Sequence, residues 1–536
     1  MKANDKVFYS DFGAIGDGVA DDFAAIKAAH DYANEKKLPV FADEGATYYI
    51  NKTGGINIII KTDTDWTGAN FTIDDRNIVD QDIERGAGIF VVAADYAPIT
   101  VTANDDTPAG AAIRAINATA KDNGGVIFRT HDTPVIDLGL GYPAMLTIYN
   151  RNVKQYIRYG GNANKGGDQH EIVMVDANGQ VDPATAILHD FATLTDIVVK
   201  RIDDTPITIR GGVFTTRANQ CMETYAYFNR GIAVNRPNTK VTGLKHYITD
   251  EGEHGNPYTG WIRASDTCNV TFEDLVVTGH RVYYGMSSVS VTPQGTYDIG
   301  AGNACNIMWR NVIQSNFFHL NKDGTPTTTP SIYKNEEGWY CWGIMGSNYC
   351  KTLSYENCML TRFDAHCGTY NPSIKNTHVC MVSIIGGGKF ELIDSTIYSK
   401  NDWMVLLRDD YGSTFAGDME IKNLTFKTDF AGDNLSFART FYYNHDFGYQ
   451  CYMPQNIEFD NLMVESPSEN KKAIHIYSGP GATTADIHKE MIGDVKNENR
   501  VIPTKKVVVK NNNQAHEFLH PKALSNAFED VELIVE

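Results

Sequence analysis

The chain has 536 residues, 42% hydrophobic and 21% charged, with a formal net charge of −19. That charge argues against nucleic acid as a main ligand, and the length exceeds one ordinary compact core. No apolar run reaches the roughly 18 residues of a membrane-spanning helix, so no such span is expected.

The nine cysteines are odd in number and form no Cys-x-x-Cys pair. Neither a disulfide framework nor a structural zinc site is expected; no metal and no cofactor is expected. Cys268, Cys305 and Cys350 fall at the same place in three repeats and are expected to stack as buried thiols in a core. The opening Met1-Lys-Ala-Asn-Asp-Lys lacks the apolar stretch of a signal peptide. The expectation is either a cytoplasmic protein or one whose leader has been removed.

In chain order, the first ordered signal is Asp11-Phe-Gly-Ala-Ile-Gly-Asp-Gly-Val-Ala-Asp-Asp-Phe. Gly13, Gly16 and Gly18 permit tight turns. Asp21 and Asp22 stand where an N-cap and first-turn acid belong. Phe23, Ile26, Ala29 and Ala33 share one helical face, so a helix is predicted over 22–36. Strands follow around Val40-Phe41 and Thr47-Tyr-Tyr-Ile. This segment, residues 11–50, resembles the N-terminal cap of the pectate-lyase-like right-handed parallel β-helix superfamily. Its members include polysaccharide lyases, glycoside hydrolases, epimerases and phage tail spikes. The resemblance implies an all-β fold, a β-solenoid with an N-terminal capping helix. A dinucleotide reading of the opening glycines fails because no βαβ series follows.

Residues 107–124 read as an inserted helix. Residues 90–190, with Arg151, Arg158 and a polar loop ending at His170, read as strands and loops projecting from early coils. Then a repeat appears: Cys268-Asn-Val-Thr-Phe-Glu-Asp-Leu, Cys305-Asn-Ile-Met-Trp-Arg-Asn-Val, Lys351-Thr-Leu-Ser-Tyr-Glu-Asn-Cys, Met419-Glu-Ile-Lys-Asn-Leu and Asn456-Ile-Glu-Phe-Asp-Asn-Leu. Each carries Asn or Asp before its last apolar residue, at 274, 311, 357, 423 and 461; Asn376 and Asp394 fit more loosely. Recurrence at irregular spacings of 37, 46, 19, 18, 29 and 38 residues describes coils that share strands and differ in loops. The expected organisation is a cap and first coils over 1–60, early coils with the inserted β and loop region over 61–195, main coils carrying a substrate groove over 196–465, and terminal coils and cap over 466–536.

The stretch Arg362-Phe-Asp-Ala-His-Cys alternates strictly, placing Arg362, Asp364 and His366 opposite Phe363, Ala365 and Cys367. The resemblance implies that segments preceding the repeated strands face substrate. Those segments carry Trp261, Arg263, Tyr297, Asp298, Trp342, Tyr370 and Asn371. Aromatic rings pack on sugars, and arginine grips carboxylates in a fork. A polysaccharide or oligosaccharide, anionic and uronate-containing, is therefore the expected partner.

Two chemistries fit. In β-elimination, His366 or Tyr370 is the base, and Arg362, Arg263 or Asn371 neutralises the uronate carboxylate. In hydrolysis, a carboxylate pair such as Asp298 and Asp364 flanks the bond. His254, on a loop, is a further candidate. The sequence lacks the Asn-Thr-Asp, Asp-Asp and Arg-Ile-Lys pattern of pectin hydrolases and the dense aspartates of calcium-dependent pectate lyases. A metal-independent polysaccharide lyase is the favoured expectation; a glycoside hydrolase and a non-catalytic glycan-binding or tail-spike-like protein are the alternatives. The expected location is extracellular, periplasmic or at the cell surface, with the cytoplasm left open.

Overall fold

The computed structural model describes residues 5–79, 83–158, 164–221, 227–279, 297–315, 317, 348–365, 367–412, 414–440, 447, 449–478, 501–521 and 530–536. Nearly every strand joins one sheet system in which the pairings are parallel. A coil has three faces. Thr259–Ser265 lies on the first, the body of Cys268–Val277 on the second, and its end on the third. The next coil repeats them within Tyr297–Gln314, pairing Arg263 with Gly300, Phe272 with Trp309 and Val276 with Ile313.

The recurring Asn and Asp mark the corner between the second and third faces. Asp274, Asn311, Asn357, Asn376, Asp394, Asn423 and Asn461 all have φ between 46° and 62°, the left-handed region that Asn and Asp tolerate best. Their side chains form ladders. Asn311 donates to Asp274, Asn357 to Asn311 and Asn376 to Asn357, at 2.7–3.2 Å. A second run joins Asp394, Asn423, Asn461 and Asn513. The two loosely fitting positions thus belong to the same corner as the rest.

Inside, register stacks like on like. The rings of Phe272 and Trp309 lie 3.8 Å apart and nearly parallel, with Tyr355 next in the column. Outside, the second face carries a charge ladder, Lys240–Glu273–Arg310–Glu356. Exposed pairs of this kind contribute little to stability each.

The helix Phe23–Lys36 caps the N-terminal end, burying Phe23, Ile26, Ala29 and Ala33 as its periodicity predicts. Its capping differs from expectation. Asp21 accepts from the Phe23 N–H at 3.0 Å, while Asp22 accepts from the N–H groups of Ile15 and Tyr49 and ties the opening loop to the strand Thr47–Ile50. At the other end, Glu532–Val535 adds a parallel rung to Lys506–Lys510.

Between Phe90–Val92 and Ile207–Arg210 the chain leaves the solenoid. It builds a four-stranded antiparallel sheet from Ile99–Thr102, Ala144–Gln155, Gly167–Val175 and Asp196–Arg201, with the helix Pro108–Ala118 packed on it. This inserted unit docks on the solenoid. Met145 and Ile172 press on Cys268 and Cys305, and Lys351 reaches Glu171 at 2.6 Å with both side chains fully buried. This corrects the cysteine expectation. Cys268 and Cys305 are buried, but beneath the inserted unit rather than in the solenoid core. Lys351, not Cys350, stands in register with Cys305; Cys350 is one residue earlier and points into the core. All the described cysteines are free thiols. Among the described residues no helix is long and apolar enough to cross a membrane.

Candidate functional site

The alternation of Arg362 and Asp364 against Phe363 and Ala365 holds. Phe363 and Ala365 enter the core, and Arg362 and Asp364 point away from it at the end of Met359–Asp364, where the third face turns into the first. Yet both are almost fully buried, at 5% and 1% exposed, because other elements close over them. Arg362 is ion-paired with Asp364, and Arg408 of a later coil stands 3.7 Å from the same carboxylate. Arg408 also holds Asp410 at 2.8 Å, and Arg158, arriving from the inserted unit, holds Asp410 at 2.7 Å. The Tyr411 ring lies under both guanidiniums, about 5.5 Å from each. Burial opposes ionisation of Asp410, but Arg408 and Arg158 outweigh it and hold the carboxyl below its usual range.

Tyr297 belongs to this corner. Burial raises its phenol pKa, and the charges acting on it are Asp364, then Arg362, Arg408 and Arg158. Asp298 beside it is buried. Arg263 projects outward from Thr259–Ser265 and makes no hydrogen bond or ion pair among the described residues. Burial draws its pKa down while Asp266 opposes.

Three expectations change. Trp261 does not face a groove. An extra residue at Gly260 bulges the strand, so that Trp261 and Ile262 both turn inward, and the indole stacks on buried His246 with ring centroids 4.5 Å apart. Tyr370 is sealed beneath the inserted unit, its phenol 2.6 Å from that of Tyr156, and burial raises its pKa well above the ordinary value. Asn371 has φ 49° and accepts from the Lys389 N–H at 2.9 Å, so it stitches one corner to the next coil at the far end of Cys367–Tyr370. His254 is half-buried on the loop leading into Thr259–Ser265. His366 and Trp342 lie outside the described residues.

Sequence reasoning passed over a groove of about 200 Å³ between the inserted unit and the solenoid, where the first face turns into the second. Its floor is made of small residues on adjacent coils, Gly386 and Ala416. Its walls carry Tyr156, Gln169 and His189 from the inserted unit and Tyr449 and Tyr452 from the solenoid. It adjoins the arginine corner: Tyr156 is two residues before Arg158, its ring is 5.9 Å from Tyr449, and the Tyr449 hydroxyl donates to the Tyr411 carbonyl. The signals were His170-Glu171 and His189-Asp190, pairs whose meaning depends on the fold. Among the described residues no group of three or more His, Cys, Asp or Glu is placed to hold a metal ion.

A parallel three-faced solenoid with a helical cap is the right-handed parallel β-helix of the pectate-lyase-like class. No protein-family model and no curated protein sequence matches the chain. Among solved structures it is similar to the tailspike gp61 of Pseudomonas phage phi297, at 11% identity and a TM-score of 0.50, over 95% of this chain and 81% of that one. It is also similar to a tailspike mutant of E. coli bacteriophage HK620 in complex with pentasaccharide, at 10% identity, TM-score 0.42, 99% of this chain and 78% of that one. A third is PfbA, a surface adhesin of Streptococcus pneumoniae, at 11% identity, TM-score 0.37, 88% of this chain and 91% of that one.

Proposed function

We propose that this β-helix acts outside the cell on an anionic, uronate-containing polysaccharide, binding it at the corner between the third and first faces and cleaving it by β-elimination. The observation that carries the reading is the convergence of Arg158, Arg362 and Arg408 on Asp364 and Asp410, in a chain whose overall charge is strongly negative. Guanidiniums gathered at one corner are suited to gripping a uronate carboxylate in a bidentate fork. Elimination needs that carboxylate neutralised, because negative charge develops on it as the neighbouring proton leaves. Hydrolysis needs instead a carboxylic acid kept protonated. Asp410 is not such an acid, since two arginines keep it ionised, so the hydrolase alternative rests on Asp298 and Asp364. The glycan-bound tailspike offers a parallel in the same fold class.

The test is a panel of uronate-containing and neutral polysaccharides, followed by binding and by ultraviolet absorbance of the products. Only elimination leaves a double bond conjugated to the carboxylate. Binding with absorbing products is the expected result. Binding without cleavage leaves a glycan-binding protein, and cleavage without absorbance assigns a hydrolase.

A further inference from the structure

His189 stands in the groove wall with its two ring nitrogens in different surroundings. Nδ1 lies 3.0 Å from Oε1 of Glu171, whose carboxylate is fully buried. That carboxylate also accepts from the N–H groups of Leu188 and His189 and from Lys351 Nζ. Nε2 makes no hydrogen bond among the described residues. The side chain is 18% exposed, and the ring lines the groove. A carboxylate on Nδ1 fixes the proton there, leaving Nε2 as the basic atom. Glu171 is held ionised for this: burial opposes it, but Lys351 and His189 bring its pKa down to about 2. The Tyr370 ring meets the imidazole edge to face at 5.3 Å and limits its rotation.

We propose that His189 is the acid–base residue of the site, taking the uronate C5 proton on Nε2 while the sugar lies in the groove and its carboxylate points to the arginine corner. This rests on the elimination reading above. The step balances without a co-reactant. The C5–H electron pair becomes the C4=C5 double bond, the C4–O bond breaks, and the departing oxygen takes the proton back from the imidazolium. The inserted unit thus supplies chemistry to a solenoid whose own described strands present no histidine at this corner. Histidine chemistry was expected of the site, but from His366 on the solenoid rather than from the insertion.

The test compares wild type, His189→Gln and His366→Ala on the polysaccharide that the wild type cleaves, with binding measured separately by calorimetry. For His189→Gln, kcat is expected to fall by roughly 10²–10⁴-fold, the range for losing a general acid–base, with binding within a few-fold of wild type. In the wild type, oligosaccharide is expected to shield His189 from diethyl pyrocarbonate, a readout independent of turnover and of any variant's folding. Wild-type kcat in His189→Gln, or modification of His189 at an unchanged rate in the saturated complex, overturns the proposal. Failure of the wild type to bind or cleave any anionic glycan removes the underlying reading instead.

Discussion

Arg158 is the most informative single side chain at the arginine corner, because it crosses from the inserted unit to pair with Asp410, which Arg408 still holds when Arg158 is gone. Arg158→Ala is therefore expected to leave the solenoid folded and to weaken anionic glycan binding by roughly 10–100-fold, the worth of a hydrogen bond to a charged group. Calorimetry at several salt concentrations checks it, and the salt dependence of binding should flatten. An unchanged affinity would place the glycan elsewhere. Trp261 gives the opposite result. Its indole is buried at 3% exposure against His246 and Phe214, so Trp261→Ala should cost roughly 3–5 kcal/mol in urea unfolding. Glycan affinity should be unchanged in whatever fraction stays folded. Loss of affinity at full stability would return Trp261 to the groove.

At the scale of the element, the amide ladder invites a paired substitution. Asn357 is left-handed, accepts from Asn376 and donates to Asn311. Asn357→Ala loses both bonds and strains the backbone, which together cost roughly 2–4 kcal/mol. Asn357→Gly loses the bonds alone and should be milder. Equal losses in denaturant titrations would show that left-handed strain is not what selects Asn there. This ladder was legible in sequence because an Asn at a fixed place in an alternating strand is a local signal, and so was the inner column of Phe272, Trp309 and Tyr355. The inward turn of Trp261 was not, because one bulged residue at Gly260 inverts the parity on which alternation depends. Nor was the arginine corner as a whole. Arg362 and Asp364 lie two residues apart and were readable. Arg158 and Asp410 lie 252 residues apart, and Lys351 and Glu171 lie 180 apart, so only docking of the inserted unit brings them together. The Cys350 expectation failed by one position for a different reason, since the aligned repeats themselves set Lys351, not Cys350, opposite Cys305.

For the whole molecule, the union of inserted unit and solenoid is sensitive to acid. Glu171 is favoured as a carboxylate only when folded, its pKa moving from the ordinary 4.5 to about 2. Its contribution is complete above pH 4.5 and is lost as pH falls toward 2. Between those values the inserted unit should loosen, seen as faster amide exchange in Gly167–Val175. Lys351→Met should weaken docking even at neutral pH, by roughly 3–5 kcal/mol, because it strands a buried charge. Exchange in that strand independent of pH over this window would show that the pair does not hold the units together.

The asparagine corner also bears on how such a molecule changes length. The side-chain clamp at the corner is made, within each of the two runs, by one residue and its neighbours above and below, so these coils do not depend on the residue count of their loops. Distances of 19 to 52 residues between successive amide partners already occur along the ladders. Whole turns can therefore be gained or lost, as beads are on a string, with the cross-section preserved and only the reach of the rod altered. The segment from Asn376 to Asp394, with no long excursion of its own, is the natural unit of such growth. Arg362 and Asp364 lie before this segment and Arg408 and Asp410 after it, so a turn added there would part the two halves of the arginine corner by one rung.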